Sequence, residues 1–181
     1  MTLMDEILAH NKRFVSNKEY LNYQSDKYPL KKMAILSCMD TRLTELLPAA
    51  MNFKNGDIKV IKNAGAMITH PFGSVMRSLL IAIYDLNVNE IAVVGHYDCG
   101  MQRLESAKLL EKMQNRGITK EVIDMVNFCG VDIDKWLTGF DSPRTSVQET
   151  IALIRNHPLV PPSIQLHGLL INPSTGELEK I

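Results

Sequence analysis

Hydrophobic and polar residues follow two different spacings along most of the chain. Short apolar runs, typical of buried strands, alternate with longer stretches in which apolar residues recur every three or four positions, as in helices. The apolar runs predict strands at 33–37, 57–61, 90–95 and 164–171. Alternating strands and helices require crossover connections, and these predict a mainly parallel sheet flanked by helices, an α/β fold.

The stretches between the strands carry the helical spacing together with signals for helix ends and burial. Pro48 is expected in the first turn of its helix, where a proline is tolerated. The segment 74–86 is apolar nearly all round, which indicates a buried helix. Residues 146–149 have the pattern of a capping box, which is expected to open a helix that ends before Pro158. Other helices are predicted at 44–52, 101–116 and 119–128.

The N-terminal segment has the pattern of an amphipathic helix over residues 3–15, and the polar, tyrosine-rich residues 16–29 predict a loop or short helix. The apolar stripe of this helix must pack on the body of its own domain or on a partner subunit. A length of 181 residues fits one domain. We therefore expect a single domain over 1–181, with 1–29 as an N-terminal helical arm.

Composition and charge narrow the class of protein. The chain has 20 basic and 20 acidic residues, whereas a nucleic-acid-binding protein would show a basic excess. No apolar run reaches the roughly 18 residues of a membrane span. The first residues mix charges and lack the apolar region of a secretory signal, so we expect a cytoplasmic protein with no nucleic-acid or membrane partner. The 3 cysteines of such a chain are candidates for metal ligands, catalytic groups or core residues.

Two polar clusters follow the first and third predicted strands. One contains Cys38, and the other contains His96 and Cys99 in a turn. Parallel strands carry their ligands at their carboxyl ends, so the clusters should meet if the two strands are neighbours. Thiolate sulfur and imidazole nitrogen are preferred zinc ligands, and two thiolates with one imidazole occur in catalytic zinc sites that keep an open position. A lone His-x-x-Cys is a weak signal because buried cysteine is common, but the two clusters together predict a metal site.

Asp40 and Arg42 stand beside the first of these cysteines. An aspartate directly after a buried strand is costly unless it is paired, and an arginine two residues on can pair with it through a bidentate fork. A carboxylate held in this way could orient a hydroxide at the metal. The alternative is that Asp40 only stabilises the N-terminus of the following helix.

The pattern Cys38-x-Asp40-x-Arg42 with His96-x-x-Cys99-Gly100 resembles the paired signature of the β-class carbonic anhydrases. The resemblance extends from residue 32 nearly to the end of the chain, and the segment 158–170 resembles the short-chain subgroup. There is one departure, because Ala66 stands where many members have asparagine.

The resemblance implies that Cys38, His96 and Cys99 hold one zinc ion per chain and that Asp40 and Arg42 form a dyad beside it. It implies reversible hydration of carbon dioxide to bicarbonate by attack of a hydroxide on zinc. Asp40 is expected to be off the metal and paired with Arg42 at alkaline pH. The family also implies a homodimer or higher homo-oligomer with its active site near the subunit interface, in which the N-terminal helix is a plausible swapped arm.

Other functions stay open at this point. Related enzymes hydrolyse carbon disulfide or carbonyl sulfide with the same ligands. An alternative from a different functional class is a non-catalytic zinc protein with a closed metal site. A thiol redox protein is disfavoured because the chain has no Cys-x-x-Cys. Cys129 has no partner at metal spacing and is expected to be an ordinary core or surface thiol.

Overall fold

A computed structural model describes residues 1–181 and contains one five-stranded sheet in the order β2-β1-β3-β4-β5. The first four strands are parallel, and β5 runs antiparallel to β4. This confirms the predicted α/β fold with a mainly parallel sheet. The strands are β1 (Met33–Cys38), β2 (Ile58–Asn63), β3 (Glu90–His96), β4 (Gln165–Ile171) and β5 (Leu178–Lys180). The sequence pattern missed β5, whose 3 residues are too few to show a period.

The helices lie before, between and after the strands, and none is both long and apolar enough to cross a membrane. The N-terminal helix and the helix at 119–128 are confirmed to within a residue or two. Two 3₁₀ segments, Glu19–Tyr23 and Ala64–Ala66, complete the regular structure. The helices are α1 (Leu3–Ser16), α2 (Leu43–Ala50), α3 (Ser74–Tyr84), α4 (Ser106–Gln114), α5 (Lys120–Phe128), α6 (Ile133–Leu137) and α7 (Pro143–Arg155).

Successive side chains of the central strands point to opposite faces of the sheet, and different helices cover the two faces. Leu36 and Val93 face a core that includes residues of α3 and α7. Ile35 and Val94 face the opposite core, which contains α2 residues and also Cys38 and Cys99. The candidate metal ligands therefore belong to the packed interior.

The predicted helix 101–116 is wrong in its first turn, because α4 begins only at Ser106. The preceding residues pair instead with a distant segment of the chain. The amide of Arg103 donates to the carbonyl of Phe140 at 2.8 Å, and the amide of Phe140 donates to the carbonyl of Met101 at 3.2 Å. These long-range bonds override the local helical pattern.

Two predicted helix starts also need correction. The last helix does not begin at a capping box over 146–149, because Ser142 accepts from the amide of Thr145 and Pro143 occupies the first helical position. Proline there loses no helical hydrogen bond and has the required φ, so the helix starts earlier. Pro48 lies in the second turn of α2, not the first, because the helix begins at Leu43.

The helix α3 is buried on one side only, which contradicts the prediction that it is buried all round. Met76, Leu79 and Ala82 are buried, but Ile81 is 44% exposed and Tyr84 is 63% exposed. Apolar residues on every side predicted complete burial, whereas the sheet and its neighbours cover only one side of this helix.

Candidate metal centre

The candidate ligands converge because β1 and β3 are adjacent parallel strands. Cys38 ends β1, His96 ends β3, and Cys99 lies in the turn that follows. The register pairs Ser37 with Val94, so both strands finish at the same edge of the sheet. One potential ligand atom from each of the three side chains lies within 4.8 Å of the others, and all three residues are buried. This group could hold a metal ion.

The separation of the two sulfurs fits zinc. Cys38 Sγ and Cys99 Sγ are 3.9 Å apart, and neither cysteine is in a disulfide. Two zinc–sulfur bonds of about 2.3 Å at a tetrahedral angle would place the sulfurs about 3.8 Å apart. The spacing and the donor chemistry therefore agree with what a zinc ion requires.

The imidazole of His96 is held in the orientation that a metal ligand needs. Its Nδ1 donates to the carbonyl of Tyr97 at 2.8 Å, which fixes the tautomer because a carbonyl can only accept. Its Nε2 is buried and has no hydrogen-bond partner. Leaving a buried polar atom without a partner costs about 1–3 kcal/mol. A metal ion at this position would satisfy it.

Cys38 lies in surroundings that favour a thiolate. The hydrogen bond with Cys99 lowers the pKa of Cys38, and the Gly65 amide lowers it further against the opposing effect of burial. The hydrogen bond with Cys38 raises the pKa of Cys99, because a second thiolate beside Cys38 is unfavourable without a cation. The Gly65 amide donates to Cys38 Sγ at 3.4 Å. Gly65 has φ +82, which glycine adopts readily, and a Cβ there would lie 3.1 Å from the Phe140 ring.

Asp40 and Arg42 form the predicted ion pair next to the three candidate ligands. Arg42 Nε donates to Asp40 Oδ1 at 3.0 Å, and Arg42 Nη2 donates to Asp40 Oδ2 at 2.8 Å. These bonds lower the pKa of Asp40 to about 2 despite its partial burial. Asp40 Oδ2 is 3.9 Å from His96 Nε2, so an ionised carboxylate faces the place where a metal would lie. Asp40 Oδ1 also accepts from the backbone amide of Arg42, but Arg42 is itself the N-cap residue of α2 and no side chain caps that helix, so the helix-terminus alternative gains no support.

Asp98 is the residue of this site that the sequence patterns did not single out. Arg42 Nη1 donates to Asp98 Oδ2 at 2.9 Å, and Arg42 Nη2 donates to the Asp98 carbonyl at 2.9 Å. An acidic residue directly before Cys99 was the available signal. Cys129 is exposed and does not belong to the ligand group, in agreement with its interpretation as an ordinary thiol.

Comparison with known proteins decides the family, because the family model described as carbonic anhydrase matches residues 33–178. The chain belongs to the β-class carbonic anhydrases. It is 54% identical over all of its 181 residues to YtiB of Bacillus subtilis, a provisionally named carbonic anhydrase, and the match covers 97% of YtiB. It also superimposes on the crystal structure of β-carbonic anhydrase isoform I of Trichomonas vaginalis with a TM-score of 0.91 and 35% identity, covering 100% of this chain and 98% of that one.

A more distant relative of this β-class carbonic anhydrase chain is named for a different reaction. It is the carbon disulfide hydrolase of Acidithiobacillus thiooxidans, which is 23% identical over 154 residues, or 82% of this chain and 76% of that protein. Membership of the β-class carbonic anhydrases confirms the resemblance that the Cys38-x-Asp40-x-Arg42 and His96-x-x-Cys99-Gly100 motifs indicated.

The departure at Ala66 has a local structural consequence. Ala66 is buried and has φ +56, a left-handed conformation that asparagine tolerates better than alanine. The asparagine that the resemblance led us to expect would therefore suit the backbone of the loop, whereas Ala66 places no polar side chain there.

Proposed function

We propose that this protein catalyses the reversible hydration of carbon dioxide to bicarbonate and a proton, with one zinc ion per chain held by Cys38, His96 and Cys99. One arrangement carries the proposal. Three buried side chains have the spacing that zinc requires, and the ionised carboxylate of Asp40 is directed at the same point. A purely structural metal site has no need of such a carboxylate.

A zinc ion held here would supply the activation of water, because zinc lowers the pKa of a bound water to about 7. The two cysteines, as thiolates, would offset the charge of the ion and make its Lewis acidity weaker than that of a three-histidine site. Tyr97 contributes its carbonyl, which keeps His96 Nδ1 protonated and leaves Nε2 free to bind.

Asp40 acts as the group that orients the attacking water. Its pKa of about 2 keeps it ionised at neutral pH, so its oxygens can only accept hydrogen bonds there. The two bonds from Arg42 fix the direction of the carboxylate. A carboxylate with so low a pKa does not retain the product proton, which must leave to solvent or buffer.

The decisive experiment measures zinc content and carbon dioxide hydration on the same purified protein. We expect one zinc per chain and hydration well above the uncatalysed rate. Asp40→Ala should retain zinc and lose about 100-fold or more in kcat, the effect expected when a reactant is no longer correctly oriented. Glu149→Ala, an exposed acidic residue on α7, is the matched control and should change neither. Absence of stoichiometric zinc, or undiminished hydration in Asp40→Ala, would contradict the proposal.

The same preparation tests the two other functions. Release of sulfide from carbon disulfide or carbonyl sulfide, faster than hydration of carbon dioxide, would assign a hydrolase activity to the chain, and carbon disulfide is the substrate in the name of the Acidithiobacillus relative. Stoichiometric zinc with no turnover of any of the three substrates would instead indicate a non-catalytic protein with a closed metal site.

We also propose a single domain that forms a homodimer or higher homo-oligomer, with residues 1–29 as a swapped arm. No residue of α1 is buried, and its apolar side chains Leu3, Met4 and Leu8 are all more than half exposed. A helix with such a stripe needs a surface to cover it. Light scattering at micromolar concentration should give the mass of two or more chains, and a variant lacking residues 1–16 should give a smaller assembly. A monomer for the full chain would contradict the proposal.

A cytoplasmic location is part of the same proposal. The two sulfurs of Cys38 and Cys99 are close enough that an oxidising compartment would threaten them, whereas ligand function requires both to stay reduced. Thiol trapping in intact cells should find both cysteines reduced. A disulfide between them in the cell would argue against this location.

A further inference from the structure

The guanidinium of Arg42 is shared between two aspartates that come from different loops. Two of its side-chain bonds go to Asp40, in the loop after β1, and two go to Asp98, in the loop after β3. Asp98 follows Tyr97, whose carbonyl fixes His96, and it precedes Cys99. Arg42 therefore links the loop after β1 to the turn after β3, which lies between the candidate ligands His96 and Cys99.

The backbone of Asp98 has the conformation that this link requires. Its φ is +52, in the left-handed region that aspartate and asparagine tolerate better than most residues. In this conformation both its carboxylate and its carbonyl accept from the same guanidinium, each at 2.9 Å. The side chain of Asp98 is 86% exposed, so water weakens the carboxylate bond, while the carbonyl bond does not depend on the side chain.

We propose that Asp98 is a positioning residue, which restrains Arg42 and through it the direction of the Asp40 carboxylate at the metal centre. Its effect on catalysis rests on the proposed carbon dioxide hydration, but its contact with Arg42 does not. Without the Asp98 carboxylate, Arg42 keeps its pairing with Asp40 and gains freedom to rotate. The carboxylate of Asp40 is then less well directed, although it stays ionised.

Substitution by glycine separates this contact from backbone strain, because glycine accepts the positive φ at no steric cost. Asp98→Gly should lower kcat by about 2- to 5-fold, as expected for loss of an exposed ion pair, with the zinc content unchanged. Asp98→Asn keeps an oxygen acceptor and the tolerance for this φ, so it should recover part of the rate. Asn87→Gly is the matched control, since Asn87 is also exposed with φ +55, and it should keep the rate of the unmodified enzyme.

A double-mutant cycle tests whether Asp98 acts through Arg42. In an Arg42→Gln background, Asp98→Gly should have little further effect on kcat. An equal loss in both backgrounds, or an equal loss in Asn87→Gly, would overturn the proposal.

A second readout needs no turnover. In protein labelled with ¹⁵N-arginine, the Arg42 Nε–H signal, assigned by its loss in Arg42→Gln, should exchange with water several-fold faster in Asp98→Gly. An unchanged exchange rate would overturn the restraint even if the enzyme is active. Faster exchange in a chain that shows no hydration would support the contact and contradict the proposed function instead.

Discussion

The apolar pattern predicts the right element both in strand β1 and in helix α1, yet the surroundings of these two segments are opposite. Every residue of β1 after Met33 is buried, and the strand ends at Cys38, shortly before the Asp40–Arg42 pair. No residue of α1 is buried, although its apolar residues recur at helical spacing. In these two segments the pattern reports the local element, whereas burial depends on what lies opposite.

The difference also explains where chemical function could be inferred. Neighbouring strands confine the end of β1 on both sides, so few positions are open to Cys38 and its thiol meets His96 and Cys99. Within the single chain only the 3₁₀ segment that follows covers part of α1, where Phe14 lies beside Tyr23, and no residue of the helix is buried. The exposed stripe is therefore the basis for the proposed partner surface, without specifying one. The predictions below test this contrast, from the largest expected effect to the smallest.

Loss of a candidate ligand at the end of β1 should have the largest effect. Cys38→Ser should abolish stoichiometric zinc and reduce hydration to the uncatalysed rate. Loss of a residue that merely orients a ligand already costs about 10–100-fold in metal affinity. Zinc affinity is measured by chelator competition. Cys129→Ser, at an exposed thiol outside the ligand group, should change neither property, and a comparable loss there would show that thiol removal alone is not informative.

Truncation of a leucine within β1 should cause the next largest effect, on stability. Leu36 is fully buried, and Leu36→Ala should lower the free energy of unfolding by about 2–5 kcal/mol through lost burial and a residual cavity. Denaturant unfolding of the metal-free protein measures this change without a contribution from zinc binding. A loss below about 1 kcal/mol, the usual cost of a volume-conserving swap, would mean that the core around β1 collapses to fill the space.

The ion pair in the loop after β1 should contribute less, and only above a defined pH. Arg42 lowers the pKa of Asp40 from 3.8 to about 2, so the ionised pair stabilises the folded state at pH values above about 4. This contribution is lost as the pH falls through about 2 and amounts to at most about 2 kcal/mol. The difference in unfolding free energy between the metal-free unmodified protein and Asp40→Asn should therefore shrink between pH 4 and 2. A difference that is constant over this range would contradict the lowered pKa.

The mainly parallel sheet could be predicted, and so could the convergence of the ligands on the condition that β1 and β3 are neighbours, because both follow from local patterns and the geometry of parallel strands. The order of the strands was not predicted and comes from the structure. The start of α4 could not be predicted, because backbone bonds between 101–104 and 139–140 replace the helical ones, and no local pattern reports them. The role of Asp98 was hidden for a similar reason. Its contact with Arg42 depends on a left-handed φ in an exposed turn, which the residue type permits but does not require.

The smallest effect is expected in α1, where Leu8→Ala makes the same substitution as Leu36→Ala at a residue that is 53% exposed. At dilutions where the chain is monomeric, it should change the unfolding free energy by no more than about 0.5 kcal/mol. At higher concentration it should weaken the assembly, because burying a leucine side chain against a partner contributes about 1.5–3 kcal/mol, equivalent to roughly a 10- to 100-fold change in dissociation constant. Lys12→Ala, at an exposed basic residue of the same helix, is the control for helix propensity. If Leu8→Ala destabilised the monomer as much as Leu36→Ala, the helix would pack on its own chain in solution, and the contrast between α1 and β1 would disappear.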